Sequence, residues 1–359
     1  MMADVNGDGL SDAVLFVPAT GILSVALALG DGRFSSAIQT DFIAGGTPDG
    51  HWFLMVDMNG DGKADAVKYD PSTGSIFVAL SHGDGNFNSP LTVPFLAGGT
   101  PADRWFRVAD INGDGYPDAV LHVPGSNKVQ VLSSSRQVLD VVNAVTNGLG
   151  ITTTVTYKPL TDASVYAKDS TAVYPYVELQ APMYVAASVS TSDGTGGNAV
   201  TNYTYAGAKS HQLGGGFLGF RQVSAHDSQA HIRSVTTYRQ NYPYHGQPLS
   251  SQKFTDSGVL LSQSTITYAD QLLNTGLSPT WHQSLPTHTV ESSYELTGGL
   301  ISTVITDTQY DTWGNPTSIV VNSGAGYSKT TTNTYDNIVD GNRWLLGRLR
   351  RSTVNSVTP

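Results

Sequence analysis

Three nine-residue strings hold most of the chemistry this sequence can offer. Asp4-Val5-Asn6-Gly7-Asp8-Gly9-Leu10-Ser11-Asp12 recurs as Asp57-Met58-Asn59-Gly60-Asp61-Gly62-Lys63-Ala64-Asp65. It recurs again as Asp110-Ile111-Asn112-Gly113-Asp114-Gly115-Tyr116-Pro117-Asp118, with a step of 53 residues each time. A hard cation such as calcium takes six to eight oxygens. Side-chain oxygens at positions 1, 3, 5 and 9 can converge on one point if the backbone turns sharply, and the glycines at positions 4 and 6 permit that turn. Position 7 (Leu10, Lys63, Tyr116) adds its backbone carbonyl. The candidate ligands are therefore Asp4, Asn6, Asp8, Leu10 and Asp12, then Asp57, Asn59, Asp61, Lys63 and Asp65, then Asp110, Asn112, Asp114, Tyr116 and Asp118. Position 12, where a helical calcium hand carries a bidentate Glu, holds Leu15, Lys68 and Leu121. Without that Glu the expected affinity is weak to moderate, on the order of 10⁻⁴ to 10⁻⁵ M.

The elements around these loops repeat with the same step. Gly30-Asp31-Gly32-Arg33-Phe34 matches Gly83-Asp84-Gly85-Asn86-Phe87. Ala44-Gly45-Gly46-Thr47-Pro48 matches Ala97-Gly98-Gly99-Thr100-Pro101, and Trp52-Phe53 matches Trp105-Phe106. Within one unit, strands are predicted at 65–69, 75–80, near 91–97 and at 105–110. Four strands per unit of this length is the pattern of a propeller blade, but two periods and part of a third are too few for a ring of about four to eight blades. A strand follows each Asp loop where a calcium hand has a helix. The loop resembles the strand-flanked calcium loop of FG-GAP (VCBS-type) repeats, as in integrin alpha-chain propellers, and the resemblance implies bound calcium pinning the blades.

Composition agrees with many short strands. Of 359 residues, 74 are Ser or Thr, 38 are Gly and 17 are Tyr, and only 13% are charged. There is no cysteine, so disulfides, thiolate metal sites and cysteine nucleophiles are excluded. No apolar run is long enough for a transmembrane helix. Net charge is −10, and residues 1–135 carry most of it, with 15 Asp, no Glu and 6 Lys or Arg. That half lacks the basic footprint of a nucleic-acid binder. The start, Met1-Met2-Ala3-Asp4, has no signal-peptide pattern. It falls just before a repeated motif and reads as a chain cut at its N-terminus.

From residue 136 the texture becomes Thr/Tyr/Val-rich. Residues 142–146 and 151–157 read as a hairpin around Asn147-Gly148-Leu149-Gly150, although 137–145 also suits one amphipathic helix. Tyr203-Thr204-Tyr205-Ala206-Gly207-Ala208 leads to Gly214-Gly215-Gly216-Phe217-Leu218-Gly219-Phe220-Arg221, and Thr237-Tyr238-Arg239-Gln240-Asn241-Tyr242-Pro243-Tyr244 follows. With Thr156-Tyr157-Lys158-Pro159-Leu160, these resemble the middle region of the B components of Tc insecticidal toxins and of related plasmid virulence proteins. Strands are predicted at 287–295, 300–309, 316–322 and 327–335. Tyr310-Asp311-Thr312-Trp313-Gly314-Asn315 fits the core of an RHS or YD repeat, and Tyr335-Asp336 with Asn342 through Leu349 looks like a second.

Together these readings define an all-β chain in three parts. Residues 1–135 are partial propeller blades with calcium loops, 136–250 a Tc-B-like middle β-region, and 251–359 the start of an RHS/YD-repeat shell. The resemblance implies a secreted, non-enzymatic wall and scaffold of a bacterial toxin, docking to a translocation component and enclosing a C-terminal cargo. In the family, toxic activity and a self-releasing protease lie beyond the YD repeats. The alternative is a calcium-stabilised propeller that recognises a host-surface protein or glycan. No hydrolase, zincin or phosphate-loop motif occurs. His211, His226 and Asp227 lie near the glycine block, where polar strand or surface roles are the plain reading. Arg343, Arg348, Arg350 and Arg351 suit a solvated strand face or an acidic partner.

Overall fold

The computed structural model describes residues 1–45, 52–95, 105–123, 128–134, 141–272, 281–340 and 343–359. The repeated Gly46-Thr47-Pro48 and Gly98-Gly99-Thr100-Pro101 segments, the 137–140 part of the helix alternative, and Asn342 lie outside the described residues. Every regular element among the described residues is a strand. The chain divides into two compact units, Met1–Val141 with Ala181–Met183, and Val142–Gln180 with Tyr184–Pro359.

The first unit holds three small antiparallel sheets. The first is β1 (Met2–Ala3), β2 (Asp12–Val17), β3 (Ile22–Ala26) and β4 (Ile38–Asp41), in that order. The second is β5 (Phe53–Val56), β6 (Asp65–Asp70), β7 (Ser75–Ala79) and β8 (Leu91–Pro94); the third is β9 (Trp105–Ala109), β10 (Asp118–Val123) and β11 (Lys128–Leu132). Each Asp loop thus links the first and second strands of one sheet. The strand read at 105–110 does not close the preceding four-stranded unit, because it pairs with β10 and opens the next sheet. Apolar side chains repeat with the same step. Phe16 stacks on Phe53 at 4.6 Å, and their counterparts Tyr69 and Phe106 stack at 5.3 Å. Two aromatic-rich clusters follow, one around Val5, Leu23, Val25 and Phe53, the other around Val67, Tyr69, Phe106 and Leu121. They bury the sheet faces that drive folding.

The second unit is one sheet. Its strands are β12 (Ala144–Thr146), β13 (Thr152–Pro159), β14 (Tyr166–Ala167), β15 (Tyr176–Glu178), β16 (Tyr184–Ser192), β17 (Asn198–His211), β18 (Gly216–Asp227), β19 (Ile232–Tyr238), β20 (Pro248–Thr255), β21 (Leu260–Leu272), β22 (His282–Tyr294), β23 (Leu300–Tyr310), β24 (Pro316–Gly324), β25 (Tyr327–Asp340) and β26 (Arg343–Val357). From β16 onward each strand pairs antiparallel with the next, and β12–β13 extend the path on the other side of β16. The hairpin reading of 142–157 holds in β12 and β13. The four strands read between 287 and 335 are also present and paired in sequence. The sheet crosses residue 250 without interruption, since β20 pairs with both β19 and β21. Its compact core is confined to one end, around Leu160, Val165, Tyr166, Ala187 and Ala208.

Three tyrosines tie the later strands together. Tyr268, Tyr310 and Tyr335 donate their hydroxyls to the carbonyls of Pro248 (2.9 Å), Pro286 (2.7 Å) and Pro316 (3.1 Å). Those prolines stand opposite Tyr238, Tyr268 and Tyr310 in the ladder, each beside a register shift. Proline has no N–H to lose at a bulge, and the next tyrosine along the sheet satisfies its carbonyl. Cross-strand hydroxyl pairs, such as Thr153–Thr191 at 3.0 Å and Ser292–Thr303 at 3.0 Å, put the Ser/Thr-rich composition to the same use.

Candidate metal loops and the clasps they form

The three Asp loops share one geometry. At position 1, Asp4, Asp57 and Asp110 accept the amides of both loop glycines, at 2.7 and 2.9 Å in the first loop, 2.7 and 2.8 Å in the second, and 2.7 and 2.9 Å in the third. At position 3, Asn6, Asn59 and Asn112 accept the amide of position 5 and donate Nδ2 to its carboxylate at 2.9, 3.1 and 3.0 Å. At position 5, Asp8, Asp61 and Asp114 accept the amides of Leu10, Lys63 and Tyr116. The glycines at positions 4 and 6 have φ between 73° and 85°, which a side chain resists.

Position 9 behaves differently. Asp12, Asp65 and Asp118 are fully buried. Each accepts the amide of its own loop's position 2 through one oxygen (Val5 2.8 Å, Met58 2.8 Å, Ile111 2.9 Å). The other oxygen accepts an amide sixteen residues downstream (Ala28, Ser81 and Ser134, all 2.8 Å). These aspartates strap the loop to the segment that leaves the adjacent strand beside it. Burial, with Asp61 and Asp57 nearby, pushes the Asp65 carboxyl up to about 6 against the pull of its two amides.

A calcium cage needs the oxygens of positions 1, 3, 5 and 9 to face one point. Positions 1, 3 and 5 stay together on the exposed lip, while position 9 is withdrawn and spent on amides. Among the described residues no group of three or more acidic or histidine side chains stands close enough to share a metal ion. In the second loop a cation is already present, since Lys63 Nζ lies 2.9 Å from Asp61 Oδ2. Partial burial works against the Asp61 carboxylate, but that ammonium outweighs it and holds its pKa below the usual value. The position-7 side chains also reach the neighbouring loop, as Lys63 packs near Gly7 and Tyr116 near Gly60.

Sequence reasoning missed two pins between the first and second sheets. Lys68, noted only as a missing Glu, is buried and donates Nζ to the carbonyls of Ile43 (3.2 Å) and Ala44 (3.0 Å). Burial pushes its ammonium pKa down. Ser81 donates Oγ to the Val5 carbonyl at 2.7 Å. A buried polar residue within an apolar strand run was the available signal.

In the second unit, His226 and His231 both bond Asp256, at 2.7 and 2.8 Å, across adjacent hairpin tips. His211 stacks on Tyr242 at 4.8 Å and takes the Gly215 amide. Asp311, the acid of the Tyr-Asp-x-x-Gly-Asn string, accepts four N–H groups, from the amides of Trp313 and Asn315 and the side chains of Asn315 and Asn337. Asn337 in turn accepts the Gly347 amide at 2.8 Å, so one turn is locked to the following hairpin. Tyr335-Asp336 lies within β25 instead of at a turn. Of the four arginines read together, Arg343 bonds Asp340 at 2.6 Å and Arg350 stands 3.8 Å from Asp336.

Propeller-type sheets with Asp clasps, joined in sequence to one long antiparallel meander, define the class of this molecule. The comparisons agree with it. Residues 79–246 match the family described as the insecticide toxin TcdB middle/N-terminal region, and residues 4–67 match the FG-GAP-like repeat. Among solved structures, TcdB2-TccC3 without its hypervariable C-terminal region aligns at TM-score 0.75 and 16% identity over 99% of this chain. Intact TcdB2-TccC3 aligns at 0.75 and 17% over 99%, and TcdB2-TccC3-Cdc42 at 0.74 and 17% over 99%. The chain spans about a fifth of their length, 21 to 22%. No curated protein matches it. The chain is thus Tc-toxin-B-like over its middle and FG-GAP-like at its start, as its motifs indicated.

Proposed function

We propose that this chain is a non-enzymatic structural segment of a secreted Tc-B- or RHS-type toxin. Its sheet is part of a container wall around a cargo polypeptide, and its propeller-type sheets are a docking surface for a translocation component. One observation carries the reading. From β20 to β26 the sheet buries a single described side chain, Ser292, although it runs for seven paired strands. A sheet that packs on a core hides one face. This one keeps both faces accessible, apolar side chains such as Ile301, Trp344 and Leu349 included, and draws its cohesion from within the sheet, through the tyrosine–proline bonds, hydroxyl pairs and the Asp311 lock. That is what a wall with an inside and an outside requires.

The relatives TcdB2-TccC3 pair two toxin components, and the corresponding partner here is a TccC3-like chain. The test is co-expression of the full-length gene product with such a partner, followed by size-exclusion chromatography. Stable co-elution is expected. Separate elution of two folded proteins would sink the reading.

A further inference from the structure

The glycine-rich block of the second unit builds a cavity that the wall role does not use. Gly207 on β17 and Gly219 on β18 both have positive φ, 64° and 82°, and the β17–β18 ladder shifts register beside them. Gln240 fastens this irregularity by donating Nε2 to both their carbonyls, at 2.6 and 2.8 Å. Bulges of this kind re-aim side chains next to binding sites. Here Arg221 lies two positions after Gly219, and Lys209 two positions after Gly207. Both line a cavity of about 640 Å³ with Tyr176, Tyr238, Asn241 and Leu249. That volume falls within the roughly 300–1,000 Å³ of small-molecule sites.

The cavity wall is rich in unspent donors. Arg221 gives Nε and Nη2 to Asp169, at 2.6 and 3.0 Å, leaving Nη1. The Lys209 ammonium is 3.8 Å from Glu178 Oε1, beyond hydrogen-bond range, and that oxygen already accepts the amides of Thr171 and Ala172. Asn241 accepts from Arg239 through Oδ1 and keeps Nδ2. Gln240 keeps Oε1. Arg239, by contrast, is saturated by Asn241, Gln247, Asp270 and Ser284 and shapes the wall only. The acids paired with these cations stand behind the lining, which contains no carboxylate of its own. Glu178 Oε2 is buried and has no partner among the described residues, so a ligand hydroxyl that donates to it also relieves it.

We propose that this cavity binds a small sugar acid. Its carboxylate sits on Lys209 and Arg221, its hydroxyls on Asn241 and Gln240, and a ring face lies against Tyr176 or Tyr238. A single ammonium and one remaining guanidinium nitrogen suit a monoanion, and amide plus tyrosine groups suit a polyhydroxylated ring.

The test is calorimetric titration of the full chain with N-acetylneuraminic acid and glucuronic acid, using neutral N-acetylglucosamine as the reference. At least one acid should bind saturably and at least tenfold tighter than the neutral sugar. Lys209→Met should weaken it at least tenfold, and Lys209→Met with Glu178→Gln should do the same without leaving an unpaired carboxylate. Failure of both acids to bind, equal binding of the neutral sugar, or full binding by the double variant each overturns the proposal.

Discussion

At the scale of single residues, the buried aspartates at position 9 carry the first unit. Asp65 satisfies two amides in a dry setting, so Asp65→Ala leaves both unpaired. We expect a loss of about 2–5 kcal/mol, because each unsatisfied buried group costs about 1–3 kcal/mol. Asp61→Ala, on the exposed lip, should cost about 1 kcal/mol or less. Urea denaturation of the two variants separates these values. A cation cage predicts the opposite pattern, with both variants equally harmful in calcium and both neutral in EDTA. On the clasp geometry, exchanging calcium for EDTA should move the melting temperature by less than about 4 °C, the shift that roughly 1 kcal/mol produces. A larger rise with calcium would favour the cage. The residue types and spacing of these loops were fully legible in the sequence. The direction of the ninth carboxylate was not, because its second partner lies sixteen residues away across two strands.

At the scale of elements, the repeated strands announced themselves through the 53-residue step and through Tyr-Asp-x-x-Gly-Asn. The grouping into sheets did not. A strand at 105–109 reads equally well as the last of one blade or the first of the next until Asp118 and its amides fix the hairpin. The tyrosine–proline bonds were also hidden, since each joins residues 19 to 24 apart on neighbouring strands. Tyr310→Phe, which deletes one such bond, should cost about 1 kcal/mol. Asp311→Ala, which frees four donors, should cost about 2–4 kcal/mol on the same scale and loosen the β24–β26 region in hydrogen exchange. The two bidentate pairs of the second unit give a pH dependence. Arg239 holds the Asp270 carboxyl below its usual range, and Arg221 does the same to Asp169. A depressed native value means stability that is fully present above the ordinary carboxylate value near 3.8 and lost as pH falls through the native one. Asp270→Asn should therefore lower the urea midpoint at pH 7 and flatten its decline between pH 4 and 2.

At the scale of the whole molecule, the two units are built on different physics. The first buries stacked aromatics between small sheets, and its stability should respond to core truncation. Phe106→Ala, which removes a fully buried ring stacked on Tyr69, should cost about 3–5 kcal/mol. The second extends by adding strands, with nearly every side chain past β20 partly or wholly accessible. Composition foreshadowed this, since Ser, Thr and Tyr exceed what a packed core can bury, yet no sequence pattern said that one sheet would run unbroken through residue 250. The middle block, 136–250, and the last, 251–359, are one sheet because β20 has hydrogen-bonding partners on both sides.

The central claim is that this sheet is a wall around a polypeptide cargo. Limited proteolysis of the full-length protein in complex with a TccC3-like partner tests it most directly, with the partner's C-terminal segment followed by mass spectrometry. The account predicts that the segment survives trypsin while the complex is intact and is cut once the complex is dissociated in urea. Digestion of the segment in the intact complex, at the rate of the free polypeptide, would contradict it.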